Sequence, residues 1–344
     1  MEKMQRANRN IFLDLFRYVL VFFVISIHYN GSTFFTPIYR LAVPMFFMIS
    51  GFFNYAKDSE KQLQKSYGFI KGSLKYLVIG FAIYIVYDLI ECMIADGKIL
   101  KVISRIFYKN YIVDFLFFNS PNDSGYHLWF LIALFVCSLI HYIFVKLDKC
   151  KFYYVLAPLF LIASLCIGGY FHSIFNYSLP LSFTRNAVFM GMPIFSIGYL
   201  LGKLKYKKFN YKHSLIFAFL GAGLLFLSVL ESQIMSLEFY ICSILSSVFL
   251  ILFFNSLPTV NVKISNFYYK WIGKNSAFYI YILHILIYNV LVYKINETRF
   301  VKCIFDFLIC FVVYLLFHLL TILFRHIKLK TKNKKQSLKT TDKT

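Results

Sequence analysis

IFLDLFRYVLVFFVISIH, residues Ile11–His28, is the stretch on which the reading of this chain turns. It is about long enough to cross a bilayer, which takes roughly 20 apolar residues as a helix. It nevertheless carries Asp14, Arg17 and His28. An arginine inside a membrane span costs on the order of 2.5–3.5 kcal/mol, so it asks for a partner or a task. Arg17 and His28 are eleven positions apart, close to three helical turns, so they share one face about 16 Å apart. The segment sets a fixed cation at one depth and a titratable imidazole in line with it near the far end.

Outward from that segment, composition fixes the class. Of 344 residues, 59% are hydrophobic and 15% charged, and mean hydropathy is +0.65. A chain so apolar is a polytopic membrane protein, an all-α bundle of transmembrane helices. The net charge of +22 raises nucleic acid as a partner. That partner is excluded because the Lys and Arg fall between the hydrophobic runs; membrane lipids are the expected surroundings. The seven cysteines (Cys92, Cys137, Cys150, Cys166, Cys242, Cys303, Cys310) form no CxxC and read as small apolar residues, with no metal and no disulfide framework. The first span is charged and lacks a small-residue cleavage site, so it is expected to be retained.

Apolar runs of about 17–22 residues predict ten spans: Ile11–Tyr29, Tyr39–Tyr55, Tyr76–Ile94, Leu128–Val145, Tyr153–Phe171, Ala187–Leu204, Ser214–Leu230, Leu237–Asn255, Ala277–Tyr293 and Cys303–Phe324. With the N-terminus in the cytoplasm, 27 of the 37 Lys and Arg lie in cytoplasmic segments, and Arg17 lies in the membrane. The positive-inside bias therefore predicts that both termini are cytoplasmic. The division is a short cytoplasmic segment, 1–10, a transmembrane domain, 11–324, and a basic cytoplasmic tail, 325–344. Within that tail, Lys330 to Thr344 reads as unstructured against the anionic inner leaflet. Arg17 then lies toward the cytoplasm and His28 at the outer boundary, so a reaction using both reaches across the membrane.

Other polar residues stand at the mouths of the spans. Ser50-Gly51 in LAVPMFFMISGFFNY would let a second helix approach closely, and a packing notch is its plainer reading. Lys71 and Lys75 in FIKGSLKYL share a helix face, as headgroup anchors or as a phosphate grip. Between Asp96 and Tyr126, VISRIFYKNYIVDFLFF reads as an interfacial helix. His127 and Trp129 in YHLWFL sit at an outer mouth, at the depth of His28. Arg185 and Asn186 precede the sixth span, which Pro193 is expected to bend. Asn275-Ser276 reads as an N-cap, and His284 falls near mid-membrane, where a polar cavity is the default expectation. Cys303–Phe324 also holds Asp306 and His318. There is no Walker A loop, GxGxxG, HExxH or GxSxG, and no internal repeat.

Taken together these residues resemble the acyltransferase-3 family of integral-membrane acyltransferases. The likeness rests on Leu13-Asp14-x-x-Arg17 followed by His28, on Val43-Pro44-Met45-Phe46-Phe47-Met48-Ile49-Ser50-Gly51-Phe52 and on His127-Leu128-Trp129-Phe130-Leu131. It rests also on Arg185-Asn186 with Gly198-Tyr199-Leu200-Leu201-Gly202, and on Tyr281-x-x-His284. It covers roughly Asn10 to Phe324. Two departures stand out. The family's basic motif entering the third span is usually arginine-rich and followed by proline, where this chain has Lys71 and Lys75 and no proline. Many members also carry a soluble hydrolase-like domain, for which no counterpart is seen.

The resemblance implies transfer of an acyl group, usually acetyl, from cytoplasmic acyl-CoA to a hydroxyl of a cell-surface carbohydrate or similar envelope acceptor. A hydroxyl is a poor nucleophile until deprotonated, which suits a histidine. In this reading His28 is the general base, Arg17 holds the donor and Asp14 orients Arg17. Lys71, Lys75 and Ser50 border the donor. His127, Trp129, Arg185 and Asn186 shape the acceptor site, and His284 lines the cavity. Two other readings stand beside it. One is a transporter built on the same fold, since the membrane part of membrane-bound serine racemases belongs to this family. The other is an accessory bundle whose polar residues only stabilise it.

Overall fold

A computed structural model describes residues 10–30, 34–95, 124–167, 181–207, 209–234, 240–258, 262–273 and 276–341, with His172 and Phe175. The interfacial helix expected within Asp96–Tyr126 lies almost wholly outside them. Among the described residues the chain is helical and holds no strand. In chain order the helices are α1 (Ile11–Asn30), α2 (Thr36–Arg40), α3 (Ala42–Asn54), α4 (Ser59–Ala95), α5 (Trp129–Lys146) and α6 (Tyr153–Leu165). They continue with α7 (Met192–Leu201), α8 (Tyr211–Ile234), α9 (Ile241–Ser256), α10 (Val262–Trp271), α11 (Ser276–Val290) and α12 (Arg299–Thr341).

Among the described residues, seven stretches are long and apolar enough to cross a membrane: Ile11–Tyr29, Thr36–Asn54, Ser59–Ile94, Tyr126–Lys146, Ala187–Tyr206, Tyr211–Ile234 and Arg299–Lys328. The other three runs read as spans fall on α6, α9 and α11, of 13, 16 and 15 residues. The runs Tyr153–Phe171 and Leu237–Asn255 extend into residues outside the described ones.

Two helices outrun their apolar runs. α4 begins at Ser59, where Asp58 Oδ1 accepts the Lys61 amide at 2.8 Å as an N-cap. The basic run that reads as a loop up to Tyr76 is therefore its first turns. α12 continues to Thr341 where the sequence reading ends the span at Phe324 and has an unstructured tail. Residues 325–341 hold no glycine or proline to stop it, and leucine and lysine sustain a helix.

The centre of the bundle is α3. Met45, Phe47, Met48, Ile49 and Phe52 on it have no exposed surface. It lies against α7 with almost no side chain between: a methyl group at Gly51 would overlap the Phe195 carbonyl, one at Gly198 the Met48 carbonyl, and one at Gly202 the Tyr55 side chain. The Ser50-Gly51 notch is thus a helix-packing surface, the use small residues have where lipid removes the hydrophobic drive between helices. Before α7 the chain makes a π-helical turn, Ala187–Gly191, and Pro193 follows in the first turn of α7, where its missing N–H costs nothing. α1, α5 and α11 complete the core. By contrast α4, α8 and α12 turn large apolar side chains outward, among them Val86, Ile90, Phe219, Phe226, Leu316 and Phe317. Helices that are apolar on their outer faces are what a hydrocarbon solvent demands.

α1, α4 and α11 begin at one end of the bundle, called here the basic end. α3 and α5 begin at the other, the histidine end.

Candidate active site

Three histidines from three separate elements meet at the histidine end. His28 is in the last turn of α1. His127 is in a 3₁₀ turn, Tyr126–Leu128, that leads into α5. His284 is in α11. Ring centroids lie 5.2 Å apart for His28–His284 and 4.8 Å for His127–His284. His28 is half-buried, whereas His127 and His284 are 2% and 0% exposed. The Tyr126 hydroxyl stands 3.2 Å from His28 Nδ1, and Arg185 is close enough to act electrostatically on His28. Their nitrogens do not converge on a metal-ligating group among the described residues.

Backbone contacts hold the two buried rings. The Tyr281 hydroxyl donates to the His127 carbonyl. His284 Nδ1 lies 2.6 Å from the Tyr281 carbonyl and so is its donor. Among the described residues, both ring nitrogens of His127 and Nε2 of His284 have no hydrogen-bonding partner. Leaving such groups buried costs about 1–3 kcal/mol each, so packing alone does not account for histidine here.

Tyr84 of α4, fully buried, sets the path of α11. Its hydroxyl donates to the Ile282 carbonyl at 2.8 Å and accepts from the Leu286 amide at 3.0 Å. Those two groups are four residues apart and would otherwise pair with each other, so the side chain is inserted across one rung of the helix, either side of His284. Its ring also packs edge-on against His127, centroids 5.0 Å apart.

Near the basic end Asp14 and Arg17 form an ion pair, Oδ1 to Nη1 2.7 Å, at an i,i+3 spacing that helix geometry makes natural. The second carboxylate oxygen accepts from the Tyr269 hydroxyl at 2.7 Å. The guanidinium also lies over the Phe53 ring, 5.2 Å from its centroid. Asn10 opens the helix by accepting the Phe12 and Leu13 amides, and its own NH₂ donates to the Phe254 carbonyl of α9. Arg17→Ala is expected to destabilise the protein by about 1–3 kcal/mol, because it takes the ionic partner from the Asp14 carboxylate, 3% exposed, and leaves the Tyr269 hydroxyl on it. Replacing both, as Asp14→Leu with Arg17→Met, is expected to recover most of that loss. Thermal unfolding of the purified variants, arranged as a double-mutant cycle, reads it.

α1 is unbroken between the two groups, so Arg17 and His28 do share a face, about 16 Å apart. The positions between them on that face, Leu20, Val21, Val24 and Ile25, are all buried and apolar. Phe46, Phe130 and Phe278 stack nearby, Phe46–Phe130 at 5.8 Å and Phe46–Phe278 at 6.4 Å.

Of the residues singled out from sequence, the structure joins His28, His127, His284 and Arg185 at one end and Asp14 with Arg17 at the other. His284, placed near mid-membrane by sequence, in fact touches His28. Trp129 is half-buried at the start of α5. Asn186 is an N-cap: its Oδ1 accepts the Val188 and Phe189 amides and its NH₂ donates to the Ser182 and Phe183 carbonyls, so its polar atoms are already committed to backbone. Ser50 Oγ likewise donates to the Phe46 carbonyl within its own helix. Lys71 and Lys75 are exposed, lying over the Tyr67 and Tyr76 rings. Ser276 bonds the Tyr18 hydroxyl, and Asn275 lies outside the described residues. Tyr84 and Tyr269 were missed: a tyrosine in an apolar helix, or one of the pair Tyr268-Tyr269 in a short polar one, carries no signal of its role. Asp306, fully buried in α12, accepts from the Tyr29 hydroxyl at 2.9 Å and from Cys310 Sγ at 3.3 Å.

A serine/alanine racemase of Enterococcus gallinarum is 25% identical over 245 residues, 63% of this chain and 32% of the racemase. An amino-acid racemase of Enterococcus faecalis is 26% identical over 224 residues, 58% of this chain and 29% of its own length. The chain thus spans about a third of the length of these curated relatives. No solved structure matches. A family model described as an acyltransferase domain matches residues 10–326. With its helical membrane bundle and that match over nearly its whole length, the chain belongs to the acyltransferase-3 family.

Proposed function

We propose that this membrane acyltransferase moves an acyl group, acetyl in the simplest case, from cytoplasmic acyl-CoA to a hydroxyl of an extracytoplasmic carbohydrate or other envelope acceptor. In this reading it sits in the plasma membrane with its basic end, and both termini, in the cytoplasm. The charge distribution supports that orientation.

The observation that carries the reading is His28: half-buried, at the histidine end, on the same helix face as a buried Arg17. For His28 to act as base, Nδ1–H donates to the Tyr126 hydroxyl oxygen, which leaves the Nε2 lone pair for the acceptor's proton. As Nε2 takes that proton, the acceptor oxygen attacks the acyl carbonyl. The carbon–sulfur bond then breaks, and CoA leaves as the thiolate, to which the proton is finally returned. Arg185, whose charge is felt at His28, suits the anionic tetrahedral intermediate. Arg17 steadies the donor, with Asp14 fixing its rotamer. His127 and His284, with unpaired ring nitrogens, suit a polar acceptor. Binding of acetyl-CoA to purified protein tests this: saturable binding weakened in Arg17→Ala supports the reading, and no binding by folded wild type sinks it.

Tyr84 belongs to this machinery as a positioning residue. Tyr84→Phe is expected to lower kcat several-fold without moving the acetyl-CoA KM, and to cost about 1 kcal/mol in stability. A KM change in place of a kcat change would point elsewhere.

The racemase relatives favour a second reading, in which the shared membrane part moves an amino acid or related solute. Polar residues buried in a bundle serve a permeation path as well. Solute uptake by proteoliposomes, with no acyl-CoA binding, would select it.

A further inference from the structure

The end of α3 is built as a cation cluster that the reading above does not use. At Tyr55 the chain leaves the helix in extended conformation. Gln62, buried in α4, fixes that turn: its NH₂ donates to the Asn54 carbonyl at 2.8 Å and its Oε1 accepts the Ala56 amide at 2.6 Å. The two neighbouring carbonyls then face lysines from two other elements. Lys65 Nζ donates to the Phe53 carbonyl at 3.1 Å and to the Tyr55 carbonyl at 3.0 Å. Lys205 Nζ, from the 3₁₀ turn Gly202–Tyr206, donates to the same Tyr55 carbonyl at 3.3 Å. Gly202 is what lets that turn come in, since a methyl group there would overlap Tyr55.

Two ammonium groups on one carbonyl oxygen stand within about 6 Å of each other. Among the described residues no carboxylate acts on either. Two more lysines lie on the neighbouring segments. Lys57 lies over the Tyr206 ring, 4.9 Å from its centroid, and Lys203 donates to the Tyr154 hydroxyl at 2.6 Å. Arg17 holds the ring of Phe53, whose carbonyl Lys65 takes. One lysine suffices to satisfy a helix C-terminus. A second on the same carbonyl adds only repulsion, unless an anion joins them. The carbonyls use three of the six ammonium hydrogens, which leaves three to point at a ligand. Lys65 is solvent-exposed and Lys205 partly so, so the site is open.

We propose that Lys65 and Lys205 bind a phosphate group at the basic end, with Lys203 and Lys57 at its rim. This deepens the acyl-CoA reading and rests on it for the source: the phosphates of the donor nucleotide, which the Arg17 side of Phe53 would then continue toward the thioester. An anionic phospholipid headgroup offers the same chemistry.

The test uses the full-length protein, purified as wild type, Lys65→Gln/Lys205→Gln and Lys65→Arg/Lys205→Arg. Each is checked for monodispersity and titrated with acetyl-CoA and with inorganic pyrophosphate. The Lys65/Lys205 glutamine pair is expected to weaken both ligands about tenfold or more, and the arginine pair to retain them. If wild type binds pyrophosphate through Lys65 and Lys205 but does not bind acetyl-CoA, the phosphate site stands and the acyl-CoA reading falls. Unchanged acetyl-CoA binding, together with loss of thermal stabilisation by phosphatidylglycerol vesicles in the glutamine pair, assigns the phosphate to lipid. A folded glutamine pair that matches wild type in all three measurements overturns the proposal.

Discussion

His28→Ala is expected to lower kcat for acyl transfer by about 10²–10⁴-fold, the usual contribution of a positioned general base. Acetyl-CoA affinity should stay within a few-fold of wild type, because the donor-side groups, Asp14 and Arg17, are three turns away on α1. Folding should also survive. His28 is half-buried, its one side-chain hydrogen bond goes to the exposed Tyr126, and removing it leaves no buried charge behind. The measurement is steady-state transfer to an acceptor extract, beside the monodispersity and melting temperature of the purified variant. Equal activity in a folded His28→Ala protein would remove the base assignment. Loss of the fold instead would make His28 a structural member of the histidine cluster.

The second large effect concerns architecture. Gly198→Val is expected to abolish the folded bundle, seen as loss of monodisperse protein after extraction. A Cβ at Gly198 would fall on the carbonyl of Met48, and the atoms behind it are backbone. Neither α3 nor α7 can yield locally, since Gly51 and Gly202 hold the same two helices together on either side. Gly68 and Gly72 in α4 provide the contrast: nothing lies within 4 Å of the position a methyl would take. Alanine at either is expected to be neutral or to stabilise by about 0.5–1 kcal/mol, the helical penalty of glycine. If Gly198→Val folds as well as Gly68→Ala, the α3–α7 contact is looser than described.

The sequence made much of this legible, for identifiable reasons. Asp14 and Arg17 lie on one helix at a spacing that pairs them, so local geometry decides. His28 and His127 stand at the mouths of their helices, so depth alone brings them level. His284 could not be placed this way. It sits inside α11, and its height relative to His28 depends on how α11 is held, in part by a hydroxyl from α4, which no periodicity reveals. Lys65 reads as one more basic residue between spans. Its meaning comes from a carbonyl ten positions earlier and a lysine 140 positions later. The extents of α4 and α12 escaped for another reason. Apolar windows mark where a helix meets lipid, not where its hydrogen bonds end.

The apolar step on α1 between Arg17 and His28 has an energetic consequence. Leu20, Val21, Val24 and Ile25 offer nothing that can pass a proton along that face. Moving one charge across a membrane potential is worth about 2.3 kcal/mol per 100 mV. A bundle joining two aqueous compartments through polar groups would dissipate that potential continuously. Here the proton taken at the histidine end has no titratable stepping stone along this face of α1. In the acyltransferase reading the uncharged thioester arm of the donor traverses the step, its thiolate takes up the proton at the histidine end and it withdraws as the neutral thiol, so no net charge crosses and the reaction draws nothing from the potential.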